Sequence, residues 1–298
     1  MIRVISPGLF TTVQDLGRHG YAHLGVSPAG AADTVSLRIG NRLVGNHDNA
    51  PALEMTLIGG RYEFDCDATI AVTGAAFDQV PMWRAVNIAK GTTLDIGSAA
   101  KSGARGYLCI CGGVDSPRIM NSASTHILSG FGAPLKRGDT IAIGNQTLGP
   151  PLTQSIDPPP QRKRLRITSA AQTHEFDAQQ AITLATASYQ VSDDSNRMGL
   201  RLKGALLHPP HNGQMLSEGV ALGALQIPPA GEPIILFVDA QTTGGYPVIG
   251  SVISADLASV GQLRPRDSIT FEFVTFAEAR RLLFEQEAFI DTIRQGYP

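Results

Sequence analysis

The sequence predicts a mainly β protein, folded as two barrels or curled sheets with a few short helices and a C-terminal helix. Three observations carry that prediction. Short apolar or alternating runs recur between Gly, Pro and Asp turn signals, among them Thr69-Ile-Ala-Val-Thr73, Gly106-Tyr-Leu-Cys-Ile-Cys111 and Ser268-Ile-Thr-Phe-Glu-Phe-Val274. A Pro-rich, finally basic stretch from Gly149 to Arg164 suits neither a helix nor a central strand. The two flanking halves carry similar punctuation in the same order. Gly112-Gly113, Pro117, Ser122 and Leu135-Lys-Arg-Gly-Asp-Thr-Ile141 are echoed by Gly244-Gly245, Pro247, Ser251 and Leu263-Arg-Pro-Arg-Asp-Ser-Ile269. The expected organisation is therefore a first barrel over 1–148, a linker over 149–163 and a second barrel with the C-terminal helix over 164–298.

Three helices have readable caps. Asp33 opens a segment that Gly45 closes, and Asp177 with Gln180 and Thr275 with Glu278 have the spacing of capping boxes. After Thr275, the residues Ala279, Leu282, Leu283, Phe289, Ile290 and Ile293 follow helical spacing, so one face of this last helix is expected to pack onto a sheet.

With 298 residues, of which 43% are hydrophobic and 17% charged, the chain can bury two ordinary cores. A formal net charge of −2 gives no basic excess for nucleic acid or an anionic membrane. Residues 1–20 lack an apolar signal core, and nowhere do about 18 apolar residues run together, so the expected location is the cytoplasm. Cys66, Cys109 and Cys111 are odd in number and favour free thiols over a disulfide framework or a metal site. His208-Pro-Pro-His211 reads as a loop, because its prolines prevent a helical face that would gather both imidazoles.

Phosphate loop, His-Glu-x-x-His, Gly-x-Ser-x-Gly and Gly-x-Gly-x-x-Gly motifs are all missing, and no lysine adjoins a methionine as biotin attachment requires. The polar clusters are what remain. Gln14, Asp15 and Arg18 in Thr11-Thr-Val-Gln-Asp-Leu-Gly-Arg18 suit either a polar ligand or a turn held by an Asp–Arg pair. Arg197 suits a carboxylate or phosphate, since guanidinium binds either bidentately, but a salt bridge to Asp193 or Asp239 would occupy the same fork. Glu218, beside Gly219 and an apolar strand, is expected to be desolvated toward a general-base range, the alternative being an ordinary strand-edge carboxylate. Asp239-Ala-Gln-Thr-Thr-Gly-Gly-Tyr-Pro-Val-Ile-Gly-Ser251 sets Gln241, Thr242, Thr243 and Tyr246 around Gly244-Gly245, which suits a ligand loop or a polar hairpin turn.

Thr12-Val-Gln-Asp-Leu-Gly-Arg18, Gly30-Ala-Ala-Asp33, Asn41-Arg-Leu-Val-Gly-Asn46, Ala52-Leu-Glu54, Val72-Thr-Gly-Ala75, Ser195-Asn-Arg-Met-Gly-Leu-Arg-Leu202, Ser217-Glu-Gly-Val220 and Asp239 through Gly250 together resemble the biotin-dependent carboxyltransferase (KipA) family. The resemblance runs nearly end to end. It implies a cyclophilin-like β-barrel in each half. For a stand-alone chain of this length it implies one subunit of a bacterial ATP-dependent 5-oxoprolinase, opening 5-oxo-L-proline to L-glutamate as a hetero-oligomer with subunits A and B. It also implies site residues: Glu218 or Asp239 to handle a proton, Arg197 to hold the substrate carboxylate or a phosphate, and Gln226, Gln241, Thr242, Thr243, Gly244, Gly245, Tyr246, Gln14 and Asp15 to bind substrate. ATP is used by the complex with no site located in this chain, and no metal is implied. The same family leaves two other roles open: the carboxyltransferase component of a biotin-dependent urea or amide carboxylase, and a binding protein that antagonises a kinase inhibitor resembling the B component.

Overall fold

A computed structural model describes residues 1–99 and 102–293. The chain divides into two compact units. The first contains Met1–Arg18, Ala29–Pro160 and the described residues from Ala288 onward, and the second contains His19–Pro28 and Gln161–Glu287.

In the first unit the strands are β1 (Ile2–Ser6), β2 (Thr11–Gln14), β3 (Ala52–Thr56), β4 (Arg61–Phe64) and β5 (Ala68–Gly74). They are followed by β6 (Ala85–Ile88), β7 (Thr93–Asp95), β8 (Arg105–Ile110), β9 (Val114–Asp115) and β10 (Thr140–Ile143). These form two five-stranded sheets, ordered β7-β4-β1-β10-β9 and β2-β3-β8-β5-β6. Alternation along the strands sends Ile2, Val4, Tyr62 and Phe64 from one sheet and Leu53, Met55, Ile70, Val72, Leu108 and Ile110 from the other into one buried core. Burial pushes the Tyr62 phenol up to about 12.

Helix α1 (Thr34–Leu43) begins where the sequence places it. Asp33 caps it by accepting from the Ser36 amide at 2.9 Å, and Gly45 follows in the left-handed conformation at φ 78°. Gly40 lets the helix sit closely on β5 and β8, because a Cβ there would lie 2.6 Å from Cys109 Sγ and 2.9 Å from Thr73 Oγ1. A buried polar network moors the helix. Tyr107 Oη donates to Glu54 Oε2 at 2.8 Å and accepts from the Asp33 amide at 2.7 Å, while Thr73 Oγ1 donates to the Ser36 carbonyl at 2.7 Å. Burial and the adjacent Glu54 carboxylate push the Tyr107 phenol well above its ordinary value. Asn46 links the end of the helix to β8, donating to the Ile110 carbonyl at 2.7 Å and accepting from the Gly112 amide at 2.8 Å.

The second unit contains β11 (Arg164–Thr168), β12 (Tyr189–Val191), β13 (Gly199–Lys203), β14 (Glu218–Gly219) and β15 (Ala224–Gln226). Its remaining strands are β16 (Ile234–Leu236), β17 (Thr243–Gly244), β18 (Val248–Val252) and β19 (Ser268–Phe273). Seven of them close into a barrel, β11-β18-β15-β16-β13-β12-β19, and β14 and β17 form a separate two-stranded ribbon. The barrel closes through β11 and β19, which pair in parallel, whereas β1 and β10 pair antiparallel.

Helix α2 (Ala178–Thr186) starts at Asp177, but the expected capping box does not form. The Asp177 side chain accepts from the Gln179 amide, and Gln180 Oε1 instead accepts from the His208 amide at 2.8 Å. A short helix that the spacing did not indicate, α3 (Leu257–Gln262), precedes β19. Helix α4 (Phe276–Thr292) has half of its expected box: Thr275 Oγ1 accepts from the Glu278 amide at 3.1 Å, while the Glu278 carboxylate turns to Arg281. Ile290 and Ile293 are buried as the helical spacing requires, but Phe289 is 40% exposed. No described helix is long and apolar enough to cross a membrane. The three cysteines are free thiols, Cys109 buried and Cys66 and Cys111 half-buried.

Candidate functional site

Two polar regions take shape from the residues singled out in the sequence, one in each unit. In the first unit, β2 delivers Gln14 and Asp15 into the interior, where both are fully buried. Asp15 Oδ1 accepts from the Gly17 amide at 2.8 Å, Ser122 Oγ at 2.6 Å and Ser124 Oγ at 2.5 Å, and Oδ2 accepts from the Ala123 amide at 2.8 Å. The carboxylate is thus spent on tying β2 to the 122–124 segment. Its ionic partner is Arg118, at 3.6 Å. Arg18, which the spacing offered as the other half of an Asp–Arg turn, instead donates to the Ser124 carbonyl and stacks 5.1 Å over Phe131. Gln14 Nε2 donates to Thr12 Oγ1 at 3.0 Å and to the Thr125 carbonyl at 3.2 Å, while its Oε1 has no partner among the described residues. A cavity of about 430 Å³ lies beside this cluster, with Arg18, Ser122, Ser124 and Phe131 in its wall. Both serine hydroxyl protons already point at Asp15, so neither serine donates into the cavity.

The second unit brings together the two motifs that the sequence marks most strongly. β14 pairs antiparallel with β17, placing Glu218 opposite Gly244 and Gly219 opposite Thr243. The ribbon is extended at both ends, with the Val220 amide donating to the Thr242 carbonyl at 3.0 Å and the Met215 amide to the Gly245 carbonyl at 3.0 Å. Glu218 is exposed, which corrects the desolvated setting expected for it: the two-residue strand stands on the ribbon, outside the barrel. Gln241 and Thr243 are also exposed and Tyr246 is 40% exposed, whereas Thr242, Gly244 and Gly245 are half-buried.

Arg197 and Asp239 do not reach for a ligand. Arg197 Nε and Nη2 grip Asp239 Oδ2 and Oδ1 at 2.8 and 3.1 Å, with both side chains 12% exposed. The Asp239 amide also donates to the Arg197 carbonyl at 2.9 Å. The competing salt bridge therefore takes the fork that the sequence offered to an anion, and it pins the start of the 239–251 loop.

Beneath the ribbon lies Gln226, 1% exposed, on β15. Its Nε2 has no hydrogen-bond partner among the described residues. A buried donor in that state costs about 1–3 kcal/mol. The amide points at Gly244, where an added Cβ would lie only 2.3 Å from Nε2. Pairing of β15 with β18 skips one residue here, since Leu225 faces Gly250 and Gln226 faces Val248, leaving Ile249 as the bulge. Sequence reasoning missed Gln172. It is 6% exposed and donates through Nε2 to Glu218 Oε1. Its segment, Ala170-Ala-Gln-Thr173, carries no turn or catalytic signature that would have drawn attention to it.

Comparison with known proteins places this geometry in context. Residues 24–273 match the family model described as carboxyltransferase domain, subdomain A and B. The chain is 37% identical over 303 residues to the C subunit of 5-oxoprolinase from Escherichia coli (strain K12), covering 98% of this chain and 97% of that protein. It is 32% identical to urea amidolyase of Saccharomyces cerevisiae over 98% of its own length, and spans only 18% of that protein. The crystal structure of the K. lactis urea amidolyase superposes on 99% of the chain with a TM-score of 0.91 at 29% identity, the chain again corresponding to 20% of that structure.

Proposed function

We propose, from the premise that this chain belongs to the carboxyltransferase domain A and B family, that it is the C subunit of a 5-oxoprolinase opening 5-oxo-L-proline to L-glutamate. The observation that carries this reading is the end-to-end match to a stand-alone protein of that name, 37% identical with 97% of it covered. The partners on this reading are subunits A and B, in a hetero-oligomer in the cytoplasm.

A five-membered lactam is a stabilised amide, so opening it needs an activated carbonyl and somewhere for negative charge to go. Water adds to the carbonyl carbon, the ring C–N bond breaks, and the nitrogen leaves as the amine with a proton. ATP is a substrate of the assembled complex: it phosphorylates the carbonyl oxygen and leaves as ADP, the ring opening then yields an acyl phosphate, and a second water hydrolyses this to glutamate and inorganic phosphate. No residue of this chain is assigned to hold ATP. Glu218 suits the proton step, because it is an exposed carboxylate next to the glycine-rich segment. Gln226 Nε2, a buried donor without a partner among the described residues, suits the stabilisation of developing charge on oxygen. Arg197 and Asp239 then act by holding the loop in place, since each consumes the other's charge. Gln241, Thr242, Thr243 and Tyr246 complete the loop around that centre.

The test is co-expression with subunits A and B, followed by an assay of ATP-dependent glutamate formation. The parent complex turns over, and Glu218→Gln lowers kcat by about 100-fold, the usual scale for losing a general acid or base. A stable complex without turnover would instead favour a regulatory binding protein. One observation favours a second enzymatic reading: the 0.91 TM-score against the urea amidolyase structure. As a carboxyltransferase component, the chain would use the same Gln226 donor on the biotin ureido oxygen. Carboxyl transfer from carboxybiotin to urea, in place of lactam opening, would establish that reading.

A further inference from the structure

The geometry points to Gln172 as the positioning residue of Glu218, an inference that rests on Glu218 carrying the proton step. Glu218 sits on a two-residue strand outside the barrel, so its backbone alone leaves the carboxylate free to sample rotamers. Gln172 supplies what the ribbon lacks. Its Nε2 donates to Glu218 Oε1, and because Gln172 is 6% exposed, its donor reaches the carboxylate from a buried, packed position.

The platform beneath Gln172 is bonded to the barrel at the irregularity beneath the site. Thr173 Oγ1 donates at 2.7 Å to the carbonyl of Ile249, the bulged residue of β18. The same hydroxyl accepts from the Ala170 amide at 2.7 Å, and the Glu175 amide donates to the Gln172 carbonyl at 3.0 Å. The Ala170–Glu175 segment is therefore closed on itself and fastened to β18, with Gln172 projecting from it. A single bulge thus serves both buried amides: Gln226 lies opposite it on β15, and Gln172 is carried by the turn anchored to its carbonyl. Gln172 binds one carboxylate oxygen, Oε1, so the proton step falls to the other.

The test is a double-mutant cycle in the complex with subunits A and B. Gln172→Met keeps the length and packing but removes the donor. It is expected to lower kcat by about 10- to 100-fold, the scale of one hydrogen bond to a charged group, with KM within about twofold. In the Glu218→Gln background the same change is expected to cost nothing further, because Gln172 acts only through Glu218. Equal losses in both backgrounds would overturn the inference and make Gln172 a packing residue. The second arm needs no turnover: in a spectrum of side-chain amides, Glu218→Ala should move the Gln172 resonances, and unmoved resonances would overturn the contact itself. If Glu218→Gln retains parental turnover while the Gln172 resonances still move in Glu218→Ala, the proton-step reading has failed and takes the positioning role with it. The contact would then stand as structural.

Discussion

The Asp15 cluster and the Glu218 ribbon use similar residue types for opposite ends. Asp15 is a buried carboxylate with four donors on its two oxygens, all from neighbouring chain segments. Glu218 is an exposed carboxylate with Gln172 on one oxygen, standing over a buried amide that has no partner among the described residues. A polar residue whose bonding capacity is filled by its own fold contributes order. One whose surroundings are left incomplete is open to chemistry, because a ligand can complete them, and Gln14, whose Oε1 has no partner among the described residues, shares that property beside Asp15. Burial alone does not distinguish the two, since Gln226 is almost as buried as Asp15.

The largest expected effect falls on the saturated side. Asp15→Ala strips the acceptor from two backbone amides and two hydroxyls at once, at a fully buried position. We expect a loss of about 3–5 kcal/mol, read as a lower midpoint of urea unfolding at unchanged slope. If the loss of stability is less than about 1 kcal/mol, water must reach the cluster and the contrast with Glu218 dissolves.

Asp48 refines the comparison, because its hydrogen-bond donors are arginines, whereas Asp15 takes four neutral donors and has Arg118 only at 3.6 Å. Arg42 Nε and Nη2 reach Asp48 Oδ1 and Oδ2 at 2.6 and 2.9 Å, and Arg38 Nε reaches Oδ2 at 3.0 Å. Burial would raise this carboxyl, but hydrogen bonds from Arg42 and Arg38 outweigh it and hold the group below its ordinary 3.8. A pKa depressed in the folded state adds stability that is complete above the unfolded value and disappears as pH falls through the folded one. Asp48→Asn should therefore cost about 1–2 kcal/mol at neutral pH, and the gap from the parent should close as the solution is taken below pH 3.8. A gap that persists in acid would mean that the arginines are held by shape alone.

Much of this division was legible in the sequence, though unevenly. The alternating runs and turn signals gave the mainly β fold, and Asp33 and Gly45 bounded α1 because capping is local chemistry written in adjacent residues. The Asp177–Gln180 box failed because Gln180 found a distant amide, that of His208, which no local pattern contains. Similarity between the halves pointed to related strands, but β10 pairs antiparallel with its neighbour and β19 in parallel, a difference set by chain path. At the site, Glu218 and Gly244 were both visible as motif residues, and only the fold shows that they are paired. Gln172 was invisible because its importance lies in a contact across 46 positions of sequence. The burial of Glu218 was misjudged because a strand signal does not say whether the strand joins the barrel or stands apart from it.

The smallest expected effect on stability is also the sharpest test of the incomplete side. At Gly244 an added Cβ would lie 2.3 Å from Gln226 Nε2 and 3.1 Å from Val220 Cγ1, while the backbone has no need of positive φ. Gly244→Ala therefore meets chiefly the far end of one side chain, which can swing aside. Displacing an amide that had no partner forfeits little, so unfolding should shift by no more than about 1 kcal/mol. If that amide stabilises charge in the transition state, however, turnover of the assembled complex should fall by about 100-fold, the scale of losing one oxyanion donor. The reverse outcome, a large loss of stability with turnover intact, would make Gln226 a core amide of the same kind as Asp15, and the orphaned donor would lose its claim to mark the site.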